Sequence, residues 1–318
     1  MLTIRGKGVA YMAGWLAVLA AGPAGASTPT TFHFLRAEVS ARSAAVAGSG
    51  IAVGGDPSCL FTNPAAAGVQ GLTNASVGFF KHLLDINAGF AAYTRPFEGI
   101  GTLSAGIQYY NYGKFDETDE RGNIIGSFGA GDFALTLGWA DLVEENLRVG
   151  GNLKVIYSSI AGYSASGLGT DLGVYYEMPE NRMTLGMSVR NLGFQLGSYN
   201  GVKEALPLDV AVGGSVVPRG IPLLLSVAFE KLNAEGAGFG DRFRAFSVGA
   251  EFTLSPSFQL RFGYNNEERR DLKVGTSSGL AGFSGGFGIR AGEYRVDYAL
   301  SSLGGIGSLH RFTLGTNL

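Results

Sequence analysis

Residues 246–265 read FSVGAEFTLSPSFQLRFGYN, and their alternation decides the fold. Phe246, Val248, Ala250, Phe252 and Leu254 make one apolar row, and Phe258, Leu260, Phe262 and Tyr264 continue it beyond Ser255-Pro256-Ser257. Between them stand Ser247, Gly249, Glu251 and Thr253, then Gln259, Arg261, Gly263 and Asn265. A period of two is that of a strand, whose successive side chains point to opposite faces. Here the large apolar residues need a different environment from the small and charged ones. Read as a three-residue hairpin loop, the turn pairs Leu254 with Phe258 and sets Glu251 opposite Arg261. Directly opposed residues lie close enough for unlike charges to attract. Glu251 and Arg261 are therefore expected to form an ion pair on the non-lipid face.

The same pattern recurs outward from this hairpin in segments of about ten residues, the weak per-segment signature of a membrane β-barrel. Fourteen are read, at about 74–82, 86–95, 101–113, 126–139, 147–159, 165–177, 182–193, 206–217, 222–232, 242–254, 258–267, 282–291, 294–303 and 310–318. Short connections (95–100, 141–146, 178–180, 218–221, 255–257, 292–293) alternate mostly with longer ones (114–125, 194–205, 233–241, 268–281). An even strand number and this asymmetry fit short periplasmic turns and long outer loops, with both termini on the periplasmic side. By parity Lys154, Asp171, Arg190, Asp209, Glu230, Arg290, Arg295, Asp297 and Arg311 join Glu251 and Arg261 inside, a nearly balanced lumen. The expected fold is an all-β, 14-stranded antiparallel transmembrane β-barrel in the bacterial outer membrane, in contact with its lipid. A soluble sandwich would need rows such as Phe133, Leu135, Leu137 and Trp139 to be core.

Composition agrees. Glycine makes up 51 of 318 residues and charged residues only 16%, against a usual ~25%. A net charge of −2 offers no basic footprint for nucleic acid. Residues 1–26 have a basic lead (Arg5, Lys7), a short apolar run and a small-residue ending, as in a secretory signal peptide. The lone Cys59 excludes an internal disulfide and stands in no lipobox. Residues 27–73 are read as an N-terminal plug or cap and 74–318 as the barrel.

The plug contains DPSCLFTNPAAAG, residues 56–68. Pro64 fixes its own φ and drives Asn63 towards an extended backbone, so Asp56, Asn63, Pro64 and Ala65 mark a preset turn. Asn63-Pro64-Ala65 resembles the Asn-Pro-Ala element that precedes the barrel strands in the FadL-like superfamily. Longer blocks, residues 32–68, 109–128, 169–196 and 281–312, resemble the PorV/PorQ family of the type IX secretion system. That resemblance spans nearly the whole mature chain. It implies a non-enzymatic outer-membrane scaffold working beside a surface anchor protein, a shuttle barrel and a sortase-like peptidase in attaching secreted cargo to the cell surface. The alternative is a FadL-like transporter of small hydrophobic molecules.

Other motifs add little chemistry. Asp116, Glu117, Asp119 and Glu120 form an acidic cluster that suits a solvated hairpin tip better than calcium, because the EF-hand ligand spacing is missing; the family resemblance adds a partner-docking loop as a further reading. Glu267, Glu268, Arg269 and Arg270 read as a solvated loop. His33, His82 and His310 form no catalytic or metal spacing, and residues 48–55 lack the Lys-Ser or Lys-Thr of a phosphate loop. No cofactor and no enzymatic activity are expected.

Overall fold

In a computed structural model of the chain the described residues are 30–69, 74–81, 86–234, 240–272 and 279–317; the leader segment and His82 lie outside them. Fourteen antiparallel strands close into a barrel. They are β1 Asn74–Lys81, β2 Asn87–Phe97, β3 Gly101–Thr118, β4 Ile124–Glu144, β5 Leu147–Ile160, β6 Tyr163–Met178 and β7 Met183–Gly197. The second half comprises β8 Asp209–Val216, β9 Leu223–Phe229, β10 Phe246–Ser255, β11 Phe258–Asn265, β12 Phe283–Ala291, β13 Tyr294–Ser302 and β14 Ser308–Asn317. Closure joins β1 to β14, with Asn74 opposite Asn317 and Lys81 opposite His310.

Alternation sorts the side chains as the period of two requires. Phe79, Leu137, Leu153, Phe262 and Phe312 point outward and are exposed, while Lys154, Asp171, Glu251, Arg261 and Asp297 are buried inside. An exposed belt of this kind is stable only against lipid, and no helix among the described residues is long and apolar enough to cross a membrane. Arg290 keeps the inward parity but lies exposed at the short-turn rim, not in the sealed lumen.

The structure changes the sequence-based expectation in two places. Ser255, not Leu254, pairs with Phe258, because a bulge between Thr253 and Ser255 takes up one residue. The Glu251–Arg261 register above the bulge is unaffected. Residues 114–125 are mostly not loop: β3 and β4 continue to Thr118 and Ile124, with Asp116 paired to Ser127 and Glu117 to Gly126. The wall is consequently tall on one side, 21 residues in β4 against 7 in β9. Finally, the first described residues lie at the long-loop end, while the expected mature terminus at residue 27 lies outside the described residues. Thr31 donates its N–H to Ala205 O at 3.1 Å, in the segment 198–208 that joins β7 to β8 on the long-loop side.

From there residues 30–69 descend through the lumen as a plug of short helical turns. Three of the five are started by a side-chain cap: Ser40 on α1 (Ala41–Ala45), Asp56 on the turn Pro57–Phe61, and Asn63 on α2 (Pro64–Ala67). In the last two, proline occupies the first turn, where its missing N–H costs nothing. The core is the interior of the barrel. Phe32, Phe34, Leu35 and Leu206 pack with Phe80, Tyr110 and Ile156 near the long-loop end, and Leu60, Phe61 and Ala65 pack with Phe90 and Tyr175 below.

The plug fits because the wall is thinned under it. A β-carbon on Gly150 would lie 2.6 Å from Ala65 N, whereas one on its neighbour Gly151, on the outer face, would meet nothing closer than 3.6 Å. We therefore expect Gly150→Ala to lower stability by about 1–3 kcal/mol through overpacking and Gly151→Ala to have almost no effect. The midpoint of the heat-modifiable gel shift of the detergent-solubilised barrel measures the difference.

Candidate functional site

Three polar clasps stand out among the contacts that hold the plug to the wall, beside single bonds such as Ala41 N to Thr313 Oγ1 at 2.9 Å and Ser49 Oγ to Ser226 Oγ at 2.7 Å. The largest is a chain of alternating charge. Arg42 on α1 donates to Glu251 through Nε at 3.0 Å and Nη2 at 3.1 Å. Arg261 donates Nε to the same carboxylate at 2.6 Å and Nη1 to Asp297 at 2.6 Å. Asp297 accepts from Arg295 at 2.7 Å, and Arg295 closes the chain on Asp56 of the plug. Arg261 and Asp297 are fully buried. Glu251 and Arg261 thus meet, but Arg261 is shared between two carboxylates and Glu251 between two guanidinium groups.

The second clasp lies on β5, β6 and β7. Lys154 and Asp171 form a buried ion pair at 2.8 Å. Asn152 bridges Asp171 at 2.8 Å to Leu60 O of the plug at 2.7 Å. On the other side Lys154 donates to Asn191 at 2.7 Å, and Asn191 donates to Pro207 O at 3.2 Å. Asn191 sits at φ 60° in a bulge of β7, which turns two consecutive side chains, Arg190 and Asn191, inward. The plug and the infolded 198–208 segment are thereby joined through the wall.

The third clasp is Asn63, fully buried. Its Nδ2 donates to Ile51 O at 2.9 Å and to Val174 O of β6 at 3.1 Å, and its Oδ1 accepts from Ala65 N at 3.1 Å. Pro64 and Ala65 follow in α2, pressed onto Gly150. One amide therefore ties two plug turns to one wall strand.

On the plug, outside the membrane-spanning strands, burial opposes ionisation of Asp56, but Arg295 and Arg42 outweigh it and hold the carboxyl at about 2. Burial pushes the Cys59 thiol up to about 12, so it stays a small apolar filler. The space left beside this clasp is about 40 Å³, enough for only a water or two.

Above the plug the lumen widens into a vestibule of about 520 Å³ that opens between the long hairpins. Phe34, Phe80, Tyr110 and Leu309 form an apolar side. The charged side carries Arg190, paired with Asp209 and with Glu230 at 2.8 Å, and Lys231, paired with Glu267 at 2.6 Å. Glu267 and Glu268 belong to a short helix, α3 (Asn266–Asp271), capped by Asn265, where the sequence suggested a plain loop.

The acidic cluster lies apart from this vestibule. Asp116 and Glu117 are exposed strand residues of β3, and only Asp119 and Glu120 stand at the hairpin tip. Asp119 is occupied by its own turn, accepting the N–H groups of Arg121 and Asn123 at 2.8 Å each and Asn123 Nδ2 at 2.9 Å. Among the described residues no group of three His, Cys, Asp or Glu is placed to hold a metal ion. Reading the sequence missed Arg42 as a clasp residue. Its only signal was a lone arginine within the small-residue run ARSAAVAGSG.

No family model matches the sequence and no curated protein matches it. Solved structures do match the fold. The Ralstonia pickettii toluene transporter TbuX aligns at TM-score 0.62 and 14% identity, over 88% of this chain and 98% of that one. The Pseudomonas putida toluene transporter TodX aligns at 0.57 and 12%, over 87% and 96%. A Pseudomonas aeruginosa FadL homologue aligns at 0.53 and 12%, over 87% and 97%. The chain thus shares the fold of these barrels, with residues 30–69 inside.

Two outcomes follow for the clasps. Asn63→Ala, which strands two buried carbonyls, is expected to cost about 1–3 kcal/mol, read as an earlier heat-modifiability midpoint. The Asp56 carboxyl lies below its ordinary value of 3.8, so its contribution is complete above that pH and lost as pH falls towards about 2. Plug residues should resist protease down to about pH 4 and become cleavable between pH 4 and 2, and Asp56→Asn should make this acid step smaller.

Proposed function

We propose that this protein is an outer-membrane passage for small molecules with an apolar body, taken up from outside through the vestibule. The observation that carries this reading is the open cavity of about 520 Å³ with Phe34, Phe80 and Tyr110 on one side. Pockets for small molecules are mostly apolar, with a few convergent polar groups, and the vestibule is built this way. The solved barrels of the same fold include toluene transporters, which supports an apolar cargo. Delivery from the vestibule requires the plug to shift, because the clasps close the lumen beneath.

That closed floor favours a second reading, the one implied by the resemblance to the PorV/PorQ family. A permanently sealed barrel would serve as a scaffold for surface attachment, with a surface anchor protein, a shuttle barrel and a sortase-like peptidase as partners. The resemblance is its other support.

Uptake separates the two readings. Radiolabelled toluene should enter proteoliposomes containing the protein faster than empty liposomes, and Phe34→Arg, which fills the apolar side with charge, should reduce entry to the empty-liposome rate. Equal entry with and without protein, together with cross-linking to an attachment complex in cells, would replace the passage reading by the scaffold.

A further inference from the structure

On the outer surface, the lipid-facing belt is interrupted by a recess of about 350 Å³ across β4 to β7. The strand pairings place its lining in two adjacent outward rows. In the first, Trp139 lies opposite Gly151, Gly151 opposite Leu172 and Leu172 opposite Val189. In the second, Val149 lies opposite Val174 and Val174 opposite Met187. Gly151 leaves the gap: a β-carbon there would meet nothing closer than 3.6 Å, and Met187, 4% exposed, completes the floor. Leu153, two residues along β5 and 70% exposed, stands with Leu137 as a ridge above it. At one end Trp139 is fixed, its Nε1 donating to Ile100 O at 2.7 Å. Ile100 belongs to the short connection before β3, so the recess lies in the periplasmic half of the belt.

The same stretch of wall is thin on its inner side. A β-carbon on Gly150 would lie 2.6 Å from Ala65 N and one on Gly173 2.9 Å from Pro64 Cδ, so α2 rests directly on backbone. Only the backbone of β5 separates the plug from the recess there. Unfilled space forfeits the dispersion contacts of the atoms that line it. On the inside α2 supplies those contacts, and on the outside a membrane component must. The shape of the recess selects it. Two outward rows make a slot about 7 Å wide, and three strand spacings make it roughly 14 Å long. An α-helix, about 10 Å across, is too wide for it, and the ridge of Leu137 and Leu153 holds a second barrel wall away. A hydrocarbon chain fits. In lipid, partners are held by packing, and small residues such as Gly151 let them approach the backbone closely.

We propose that this recess is the seat of one acyl chain of a phospholipid from the inner leaflet of the outer membrane, packed on Gly151 between Trp139 and Val189 and retained by each barrel. No charged residue lines the recess, so the seat recognises the chain and is indifferent to the head group. The assignment continues the lipid contact of the exposed belt and is independent of what the lumen carries. It sets lipid and plug on opposite faces of the same two strands, β5 and β6, with one layer of backbone between them.

Native mass spectrometry of the full mature chain, extracted from outer membranes in a mild detergent and washed, tests this. The wild type should carry one phospholipid per barrel, and Gly151→Leu, which grows into the slot, should lower the retained fraction at least about tenfold. Phe262→Leu, an equally lipid-facing change on β11, should leave it unaltered. Where Gly151→Leu loses heat-modifiability, Val189→Phe, which closes the far end of the slot, carries the test. A barrel free of phospholipid, or retention equal in the wild type and the slot variants, would overturn the seat. Equal loss in Phe262→Leu would reduce it to the general lipid annulus. Lipid A in place of phospholipid would overturn the leaflet, and the mass of a dimer that Gly151→Leu dissociates would replace the chain by a second copy.

Discussion

Arg42, Glu251, Arg261, Asp297, Arg295 and Asp56 form one unbroken chain of alternating charge, anchored in the plug at both ends and in β10, β11 and β13 between. Each charge taken out of water costs several kcal/mol, and a single buried pair often fails to recover it. Sharing changes the balance, because each interior member touches two partners of opposite sign. The result is weak as a source of net stability and strong as a locator. Sliding β11 by one residue would bring Phe262 into the place of Arg261, break the chain in the middle and leave Glu251 with Arg42 alone and Asp297 with Arg295 alone. The chain thus specifies strand register and plug position together.

Much of the barrel was legible because it is governed by a local period. Residue 261 faces inward for the same reason that Phe262 faces lipid, and the closed 14-strand order follows from repeating that choice. Departures occur where local periodicity is silent. The bulge at Thr253–Ser255 moves the hairpin pairing from Leu254 to Ser255, yet both registers preserve the facing of Glu251 and Arg261. The charge-rich run after Gly113 looked like loop, but a bulge after Asn111 lets β3 and β4 continue paired to the tip.

The plug was less legible than the wall. Its Asx-Pro turns could be read, since a cap followed by proline is a local device, but their attachments could not. Arg42 reaches Glu251, 209 residues away, and Asn63 reaches Val174, 111 residues away. Nothing in the neighbourhood of either residue encodes that distance. The direction of the plug was hidden for the same reason: a contact between Thr31 and Ala205 reflects how residues 198–208 fold inward, which no strand pattern describes.

These attachments also explain how a filled lumen is compatible with passage. The plug helices are four and five residues long, too short to be stable alone. Their shape is therefore imposed by the wall through separate clasps on β10–β13, on β5–β7 and on β6. Elements held this way open locally, at less than the cost of global unfolding. Release of the Arg42–Asp56 chain would remove the charged contacts of α1 and of Asp56, while Asn152 still held Leu60 and Asn63 still held α2 against β6. The barrel itself closes through its own strand pairing, β1 to β14 included, so a partial withdrawal of the plug would leave the wall intact. A sealed resting state and a transient path can therefore belong to the same structure, because the groups that close the lumen are distinct from those that close the barrel.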